Sequence, residues 1–524
     1  MNGALLVAGL GIAVVVVISR ALALRTGLPY PVFLVLAGAG ASFVPGIPSI
    51  HLRPSVVFLG FLPPLVYHAG LVTSPRELRA NAVPIGLSAF GLVLATTFAV
   101  ALVEWAAVPG VRWTSAFVLG AIVAPTDAVA ATSVLRRLEG PPHLTVILEG
   151  ESLVNDGIAL SLFSLGIAAA ASPTTVGGGV LSFVKIAGGG ALFGVAVGWL
   201  ASRVHRPLTD TPSQIVVSLL VPFVAYLPAD ALGLSGVLAT LSAGLVLGQD
   251  PVAELRPAGR IRVTDFWEVA VFLLESALFV LVGLQLRSIL SGVSRHSARD
   301  VALSSLLAVA VVVVVRVGWQ AVLPTVRFRP RERILDTGGV PWRERALLGW
   351  SGLRGAISLA AALSIPTTVS GRPFPGRDLL IVATFSVIAV TLVGQGTTLP
   401  WLMRRMGLAG SEAERREHAL AERRCAEAAL RRLDELTAGQ RVSVGDADVL
   451  RQVYERRLDQ ARVELGDAER PEGPSMRQVR AELLGAQHGV LRRLHREGEI
   501  SFAVMRAVRR EIDLEEASLG IHER

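Results

Sequence analysis

The sequence contains a single cysteine, Cys425, among 524 residues. One thiol cannot form a disulfide framework within the chain, nor can it build a zinc site based on several cysteines. Charged side chains are also scarce, at 18% of the chain, whereas 52% of the residues are hydrophobic. These proportions exclude an ordinary cytosolic domain of this length, and they exclude collagen-like and disordered chains as well.

The few charges are unevenly distributed along the chain. Residues 404–524 hold 23 Arg against 23 Asp or Glu, whereas the first 403 residues hold 27 basic and 19 acidic residues and therefore the entire net charge of +8. A nucleic-acid-binding protein concentrates its basic surplus on one exposed face. Here the basic residues stand between hydrophobic runs, which indicates membrane topology and no nucleic-acid partner.

Apolar runs long enough to cross about 30 Å of hydrocarbon recur through the first 402 residues. They predict an all-α membrane protein with about thirteen transmembrane helices, at residues 3–19, 29–44, 54–72, 83–105, 114–134, 145–171, 178–201, 212–227, 231–248, 264–287, 300–323, 344–365 and 379–402. The first run is followed, and not preceded, by basic residues. This is the reverse of the charge order in a cleavable signal peptide, so we interpret the run as a crossing helix.

Arginines cluster in the connections that follow odd-numbered segments, with 17 there and 7 in the other connections. Because positive residues remain on the cytoplasmic side, we expect the amino terminus outside and the carboxyl terminus inside. Residues 403–524 are rich in Arg and Glu, with Leu and Ala at helical spacing, which predicts a helical cytoplasmic tail broken at Pro471, Gly473 and Pro474. A regulatory domain with an unknown ligand is the alternative for this tail.

Ionisable side chains in the membrane interior cost roughly 2.5 to 3.5 kcal/mol each on insertion scales, so they are rare without a use. One of them, Asp127, lies in the middle of the fifth segment, two residues after Pro125. Because proline has no N–H and crowds the preceding turn, we expect the helix to break there and to expose carbonyl oxygens beside a carboxylate. This arrangement resembles a hard-cation site. The alternative is a simple kink, with Asp127 capping the restarted helix.

The sixth segment carries two pairs of polar residues at a spacing of four. Ser152 and Asp156 share one helical face, and Glu151 and Asn155 share the neighbouring one. The first face offers a hydroxyl and a carboxylate to a cation, and the second offers groups for structural bonding. A purely structural polar cluster is the alternative.

The twelfth segment contains Arg354 between Gly352 and Gly355. A guanidinium stays charged at this depth and therefore requires a carboxylate, for which we predict Glu151. The flanking glycines predict a second interrupted helix, which pairs with the break at Pro125 if the chain contains inverted repeats. The alternative is an arginine that snorkels to the interface, a description that fits Arg316 better.

Three other polar residues in apolar segments are less informative. Glu275 could face a water-filled passage or pair with a basic group, and the sequence slightly favours the structural role. His68 follows a Pro-Pro pair and is interpreted as a hydrogen-bonded histidine, and Lys185 as a snorkelling lysine.

These motifs, in this order, resemble the monovalent cation:proton antiporter family, which includes the bacterial NhaP-type and eukaryotic NHE-type sodium/proton exchangers. The resemblance covers about residues 1–402 and rests on Pro125-Thr126-Asp127, Glu151-Ser152 with Asn155-Asp156, and Gly352-Leu353-Arg354-Gly355. One departure is His68, because many relatives carry an acidic residue after the Pro-Pro pair.

The resemblance implies a role for each matching residue. Asp127 and Asp156 would bind a sodium ion and a proton alternately, with Ser152 and the Thr126 carbonyl as further ligands of the transient ion and with no resident cofactor. Asn155 and Thr126 would order the crossing of the broken helices at Pro125. Glu151 and Arg354 would form a structural ion pair.

The resemblance also implies an assembly and a stoichiometry. It predicts a homodimer in the lipid of a bacterial inner membrane, with residues 1–75 and 178–290 at the dimer interface and residues 80–172 and 300–402 in a moving core bundle. Family members with Asn before the second Asp are typically electroneutral, so Asn155 predicts exchange of one ion for one proton, by alternating access.

Two other functions remain open from the sequence. A potassium/proton antiporter of the same fold would use the same oxygen ligands, because sequence does not supply cavity size. Gly349-Trp350-Ser351-Gly352 matches the Gly-x-Ser-Gly pattern of rhomboid-type intramembrane proteases, but no histidine base occurs in segments twelve and thirteen. An aspartyl dyad would require a Gly-x-Gly-Asp context that Asp156 lacks.

Overall fold

The structure is a computed structural model. It describes residues 2–44, 54–74, 78–79, 82–171, 175–208, 210–249, 257–293, 297–322 and 341–410, and in the tail residues 412–439, 441–467, 476–497, 499, 504–505, 508–509 and 512. Eight of the arginines counted above in the connections lie outside these ranges, as do the three residues at the predicted tail break, namely Arg53, Arg76, Arg256, Arg295, Arg327, Arg329, Arg331, Arg333, Pro471, Gly473 and Pro474. The chain divides into two compact units, Met1–Glu414 and Arg415–Arg524.

The described part of the first unit is almost entirely helical. Its helices are α1 (Asn2–Thr26), α2 (Tyr30–Ala41), α3 (Pro54–Val56, a π-helical turn Val57–Phe61, and Leu62–Val72), α4 (Ala82–Gly86, a π-helical turn Leu87–Leu92, and Val93–Ala107), α5 (Trp113–Val123), α6 (Ala128–Arg137), α7 (Pro142–Ala171), α8 (Val176–His205), α9 (Thr211–Ala231), α10 (Gly236–Gln249), α11 (Pro257–Leu284), α12 (Leu286–Val293), α13 (Ala298–Val322), α14 (Trp342–Trp350), α15 (Ala356–Leu363) and α16 (Arg377–Ala389, a π-helical turn Val390–Gln395, and Gly396–Met406). A short hairpin, β1 (Thr368–Val369) and β2 (Arg372–Pro373), connects α15 to α16 with Thr368 opposite Pro373.

Eight spans among the described residues are long and apolar enough to cross a membrane, and three shorter apolar helices accompany them, at Tyr30–Ala41, Val57–Val72 and Gly236–Gln249. Large aliphatic side chains also cover the outside of the bundle, as on α8, where Leu181 is 71% exposed and Leu192 is 74% exposed. Extended apolar surface on the outside of a helical bundle is stable against lipid or against another apolar protein surface. The first unit is therefore a multi-pass membrane domain, and its exact number of crossings stays a prediction.

Helices α1–α3 and α8–α11 pack against one another and are called here the first helix group. Glycines allow some of these helices to approach at backbone distance. A methyl group added at Gly194 of α8 would lie 2.0 Å from the carbonyl oxygen of Ala239 in α10, and one added at Gly283 of α11 would lie 2.3 Å from the carbonyl oxygen of Val35 in α2. Small residues at such crossings are typical of helix packing in membranes.

Helices α4–α7 and α13–α16 form a second helix group. Its centre is aliphatic, with Ile122 of α5, Val312 of α13 and Leu359 of α15 each at most 1% exposed. Long-range packing of this kind positions the interrupted segments between α5 and α6 and between α14 and α15. The assignment of the two groups to a dimer interface and a moving bundle stays a prediction.

The tail is helical, as the sequence predicts. It contains α17 (Glu412–Ala438), α18 (Val444–Leu465) and α19 (Met476–Arg496). Ser443 caps α18 by accepting a hydrogen bond from the Asp446 N–H at 3.1 Å, and Gly466 ends it in the left-handed conformation. The predicted boundary after residue 402 precedes the end of α16, which continues to Met406 and ends at the left-handed Gly407.

Candidate functional site

Two interrupted helices cross inside the second helix group. The first break separates α5 from α6 around Pro125, and the second separates α14 from α15 at residues 351–355. The two breaks are joined directly, because the Asp127 N–H donates to the carbonyl oxygen of Leu353 at 2.8 Å. Both predicted interruptions are therefore confirmed. At such a crossing, backbone groups that a continuous helix would satisfy internally become available to side chains or ions.

Asp127 is the N-cap of the restarted helix α6, directly before Ala128. Its Oδ1 accepts a hydrogen bond from the Val129 N–H at 2.9 Å, so the carboxylate caps α6. Its Oδ2 lies against Gly355 of the other break, where an added Cβ would come within 1.8 Å of it. The capping role and an ion-binding role are compatible, because they use different oxygen atoms.

Thr126 connects the first break to α7. Its carbonyl oxygen accepts hydrogen bonds from Ser152 Oγ at 2.9 Å and from Asn155 Nδ2 at 3.3 Å. Its hydroxyl accepts a second Asn155 Nδ2 contact at 2.8 Å and donates to Glu151 Oε1 at 3.0 Å. These bonds hold α7 against the interrupted segment and fix the direction of the Thr126 carbonyl.

A cavity of about 730 Å³ lies between the two helix groups, and Asp127, Asp156, Ser152 and Thr126 line it. The carboxylates of Asp127 and Asp156 are close enough to interact electrostatically. Among the described residues, no hydrogen bond or ion pair involves the Asp156 carboxylate. Two acidic groups and several oxygen atoms thus face one water-accessible space, which is a donor set for a hard cation.

The four polar residues of α7 face two directions, as their spacing predicts. Ser152 and Asp156 line the cavity. Glu151 and Asn155 are each 1% exposed and point into the second helix group. The first pair is therefore available to solvent and ions, whereas the second pair bonds to protein.

The predicted ion pair between Glu151 and Arg354 is wrong. Glu151 Oε1 instead forms a short, buried ion pair with Arg316 Nη1 of α13. Arg316 is fully buried and also donates from Nε to the carbonyl oxygen of Leu348 at 3.2 Å, so it does not snorkel to the interface. The apolar residues around Arg316 in the sequence suggested an interfacial arginine, but α13 packs against α14 and brings it to the only buried carboxylate of α7.

Arg354 satisfies backbone carbonyls at the crossing. Its Nε donates to the Val123 carbonyl oxygen at 3.0 Å, its Nη2 to the Ala124 carbonyl oxygen at 3.4 Å, and its Nη1 to the Gly352 carbonyl oxygen. Val123 is the last residue of α5 and Ala124 is its C-cap, and their carbonyls lack helical partners because of the Pro125 break. The guanidinium therefore compensates the negative end of that helix.

Sequence reasoning did not identify Tyr30 as part of this cavity. The Tyr30 hydroxyl of α2 donates to Glu275 Oε2 of α11 at 2.9 Å, and both residues line the cavity. Glu275 thus faces the cavity and is hydrogen-bonded by a tyrosine, and the described residues form no ion pair with it, whereas the favoured structural role requires a basic partner. The ring of His68 stacks on Trp267 at 5.8 Å, and the described residues show no hydrogen bond to it. Lys185 is exposed, as a snorkelling lysine would be.

The sequence pattern of one known family matches residues 11–405, and that family is described as sodium/hydrogen exchanger, transmembrane. This chain belongs to that family. An uncharacterized Na⁺/H⁺ exchanger of Mycobacterium tuberculosis is 35% identical over 532 residues, which cover 97% of this chain and 96% of that one. The Na⁺/H⁺ antiporter ApNhaP of Aphanothece halophytica is 31% identical over 400 residues, which cover 75% of this chain and 72% of that one.

A solved structure has the same fold. The sodium proton antiporter MjNhaP1 of Methanocaldococcus jannaschii, at pH 8, superposes with a TM-score of 0.59 at 17% identity, over 78% of this chain and 100% of that chain. The resemblance predicted from the three motifs is therefore confirmed. Relatives of this family are cation/proton antiporters, which are transporters and not enzymes, so the protease alternatives are set aside.

Proposed function

We propose that this antiporter exchanges sodium, and also lithium, for protons in a one-to-one ratio by alternating access at a site formed by Asp127 and Asp156. The observation that supports this most is the position of both carboxylates on one cavity, beside the crossing of two interrupted helices. Ser152 Oγ and the Thr126 carbonyl, which are hydrogen-bonded to each other at 2.9 Å, are the further ligands that we assign to the ion.

The proposed coupling follows from the charge of the site. Two ionised carboxylates repel each other, and a doubly negative site is costly to move through apolar surroundings. Binding of either a metal cation or a proton reduces that cost, so the loaded site can move. The empty site keeps its full negative charge and therefore stays in place. Sodium and protons therefore compete for one site and cross in opposite directions, so the protein exchanges them and does not leak.

The stoichiometry is inferred from the residue before Asp156. Asn155 is neutral, and its amide is bonded to Thr126. A second titratable carboxylate at that position is what distinguishes the electrogenic branch of the family. With only one proton exchanged against one cation, transport should not respond to membrane voltage.

The proposed orientation and assembly follow from the arginines and the helix groups. The cavity extends from Asp127 to Arg20, Arg136 and Arg137, which follow odd-numbered segments. With these on the cytoplasmic side, the described conformation opens inward and the tail lies in the cytoplasm. We further propose a homodimer in a bacterial inner membrane, assembled through the first helix group, in which the second helix group moves. The tail is assigned no ligand.

The test is exchange by the purified full-length protein in proteoliposomes, measured with sodium, lithium and potassium at several pH values. Competition at one site predicts that the apparent KM for sodium rises as the pH falls, while the maximal rate at saturating sodium stays constant. A voltage clamp with valinomycin and potassium should leave sodium exchange unchanged. A maximal rate that falls at constant KM would contradict competition, and exchange of potassium in preference to sodium would favour the potassium/proton alternative.

A further inference from the structure

A third carboxylate faces the Asp127–Asp156 cavity from the opposite helix group. Glu275 lies on α11 of the first helix group, whereas Asp127 and Asp156 lie in the second. The cavity between the groups is lined by all three. The carboxylates of Glu275 and Asp127 are close enough to interact electrostatically.

Glu275 is oriented by a tyrosine and forms no ion pair with the described residues. Its Oε2 accepts the Tyr30 hydroxyl at 2.9 Å, and the Tyr30 ring packs on Phe272, one helical turn before Glu275, at a centroid distance of 5.7 Å. A tyrosine hydroxyl orients a carboxylate without neutralising it. In the part of the chain that the structure describes, no ion pair involves Glu275.

The arginines of the cavity make their direct contacts with other groups, although Arg136 is close enough to Glu275 to interact with it electrostatically. Arg136 pairs with Glu149 at 2.6 Å, and Arg137 donates to the carbonyl oxygens of Ala23 and Leu24 at the end of α1. The Arg20 guanidinium lies over the Phe272 ring at 4.9 Å. Five carboxylates line the cavity against three arginines, so its formal charge is negative, and that charge attracts cations and repels anions.

We propose that Glu275, oriented by Tyr30, is a cation-capturing residue that serves the exchange site only when the site faces this cavity. Because the carboxylate belongs to the first helix group, movement of the second group would carry Asp127 and Asp156 away from it. Glu275 then strengthens sodium binding on the side of Arg20 and Arg136, and it contributes little on the other side. The two faces of the transporter would therefore differ in apparent sodium affinity. This inference rests on the proposed function.

The test compares sodium dependence from the two sides, with the full-length protein in everted and in right-side-out membrane vesicles. Glu275→Gln should raise the apparent KM for sodium about tenfold on the side to which the cavity opens, which corresponds to 1.4 kcal/mol. The maximal rate and the KM from the other side should stay within about twofold. Tyr30→Phe should act in the same direction with a smaller effect, since it frees the carboxylate without removing its charge.

Glu268→Gln is the matched control, because Glu268 lies two turns earlier on α11 and lines the same cavity without a tyrosine partner. It should leave the apparent KM for sodium within about twofold of the wild-type value. If both variants raise the KM equally, the effect comes from the total charge of the cavity and not from the position of Glu275. An unchanged KM in Glu275→Gln, or an equal rise from both sides, would overturn the proposal. If Glu275→Gln does not fold, Tyr30→Phe decides in its place: a rise in the apparent sodium KM on the side of the cavity alone supports the proposal, and an unchanged KM overturns it.

The wild-type protein and Asp156→Asn separate this inference from the proposed function. Active wild-type protein with an inactive Asp156→Asn and an unaffected Glu275→Gln would reject only the role of Glu275. Exchange by Asp156→Asn at the normal rate would reject the proposed site itself.

Discussion

The buried ion pair at the centre of the second helix group joins Glu151 and Arg316, each 1% exposed or less. The sequence indicated correctly that Glu151 needs a cation, because a carboxylate in an apolar segment is costly without one. It could not choose between two arginines, since the choice depends on how α13 and α14 pack beside α7. The break at Pro125 leaves carbonyl oxygens at the end of α5 without helical partners, and Arg354 bonds to these and not to Glu151.

Arg316→Met should therefore destabilise the folded protein strongly, because it leaves the buried Glu151 unpaired. Removing one partner of a buried pair typically costs about 3 to 5 kcal/mol, whereas replacing both partners by neutral groups costs much less. The double variant Glu151→Gln, Arg316→Met should accordingly recover part of the lost stability. Thermal unfolding of the detergent-solubilised variants measures both effects.

The control is a second double-mutant cycle, in which Arg354→Met replaces Arg316→Met and is combined with Glu151→Gln. Its coupling to Glu151→Gln should be smaller, because Arg354 bonds to the carbonyl oxygens of α5. A larger coupling of Glu151 to Arg354 than to Arg316 would show that the ion pair is assigned to the wrong arginine.

The decisive elements are the two interrupted helices and α7. Proline at residue 125 and the glycines around Arg354 marked both breaks in the sequence, because these residues interrupt helices for known steric reasons. The spacing of four in α7 likewise separated the residues that line the cavity from those that bond to protein. The direct bond between Asp127 and Leu353 was not predictable, since it depends on the relative depth of two segments more than 200 residues apart.

Gly355→Ala should impair the crossing of these elements. The new methyl group would lie 1.8 Å from Asp127 Oδ2, so either the carboxylate or the backbone must move. Gly355 has φ of −120°, which alanine adopts without strain, and the effect should therefore come from the clash. Overpacking typically costs about 1 to 3 kcal/mol, and an increase of about 1.36 kcal/mol in the transport barrier alone would slow exchange about tenfold.

Gly318→Ala on α13 is the matched control, because nothing lies within 4 Å of an added methyl group there. Sodium-driven proton flux in proteoliposomes should be close to that of the wild type for this variant, and at least about tenfold lower for Gly355→Ala. Equal fluxes in the two variants would mean that the contact between Gly355 and Asp127 does not constrain the site.

At the scale of the whole molecule, the chain consists of a membrane domain and a helical tail that each form a compact unit. Composition alone predicts a division after residue 402, because hydrophobic spans and an Arg/Glu-rich tail differ so sharply, whereas the boundary between the two units follows Glu414, twelve residues later. The sequence also predicted the antiporter fold through its motifs. It could not predict the cavity between the helix groups or the pairing of Tyr30 with Glu275, since these arise from packing between α2 and α11.

A chain truncated after Glu414 should still fold and exchange sodium for protons. The first unit retains its own core, and its last described loop is fixed by the bond from the Gly410 N–H to the Leu138 carbonyl oxygen at 2.8 Å. Size-exclusion chromatography and proteoliposome flux check this outcome. Loss of folded protein on truncation would show instead that the membrane domain depends on the tail.

The most direct measurement is sodium-driven proton flux in proteoliposomes that contain Asp127→Asn or Asp156→Asn. Asparagine has nearly the size and shape of aspartate, but its side chain is neutral and does not bind a proton, and it attracts a cation only weakly. The account predicts well-folded proteins that exchange neither sodium nor lithium for protons. Exchange at the wild-type rate by either variant would contradict a single site shared by the two carboxylates.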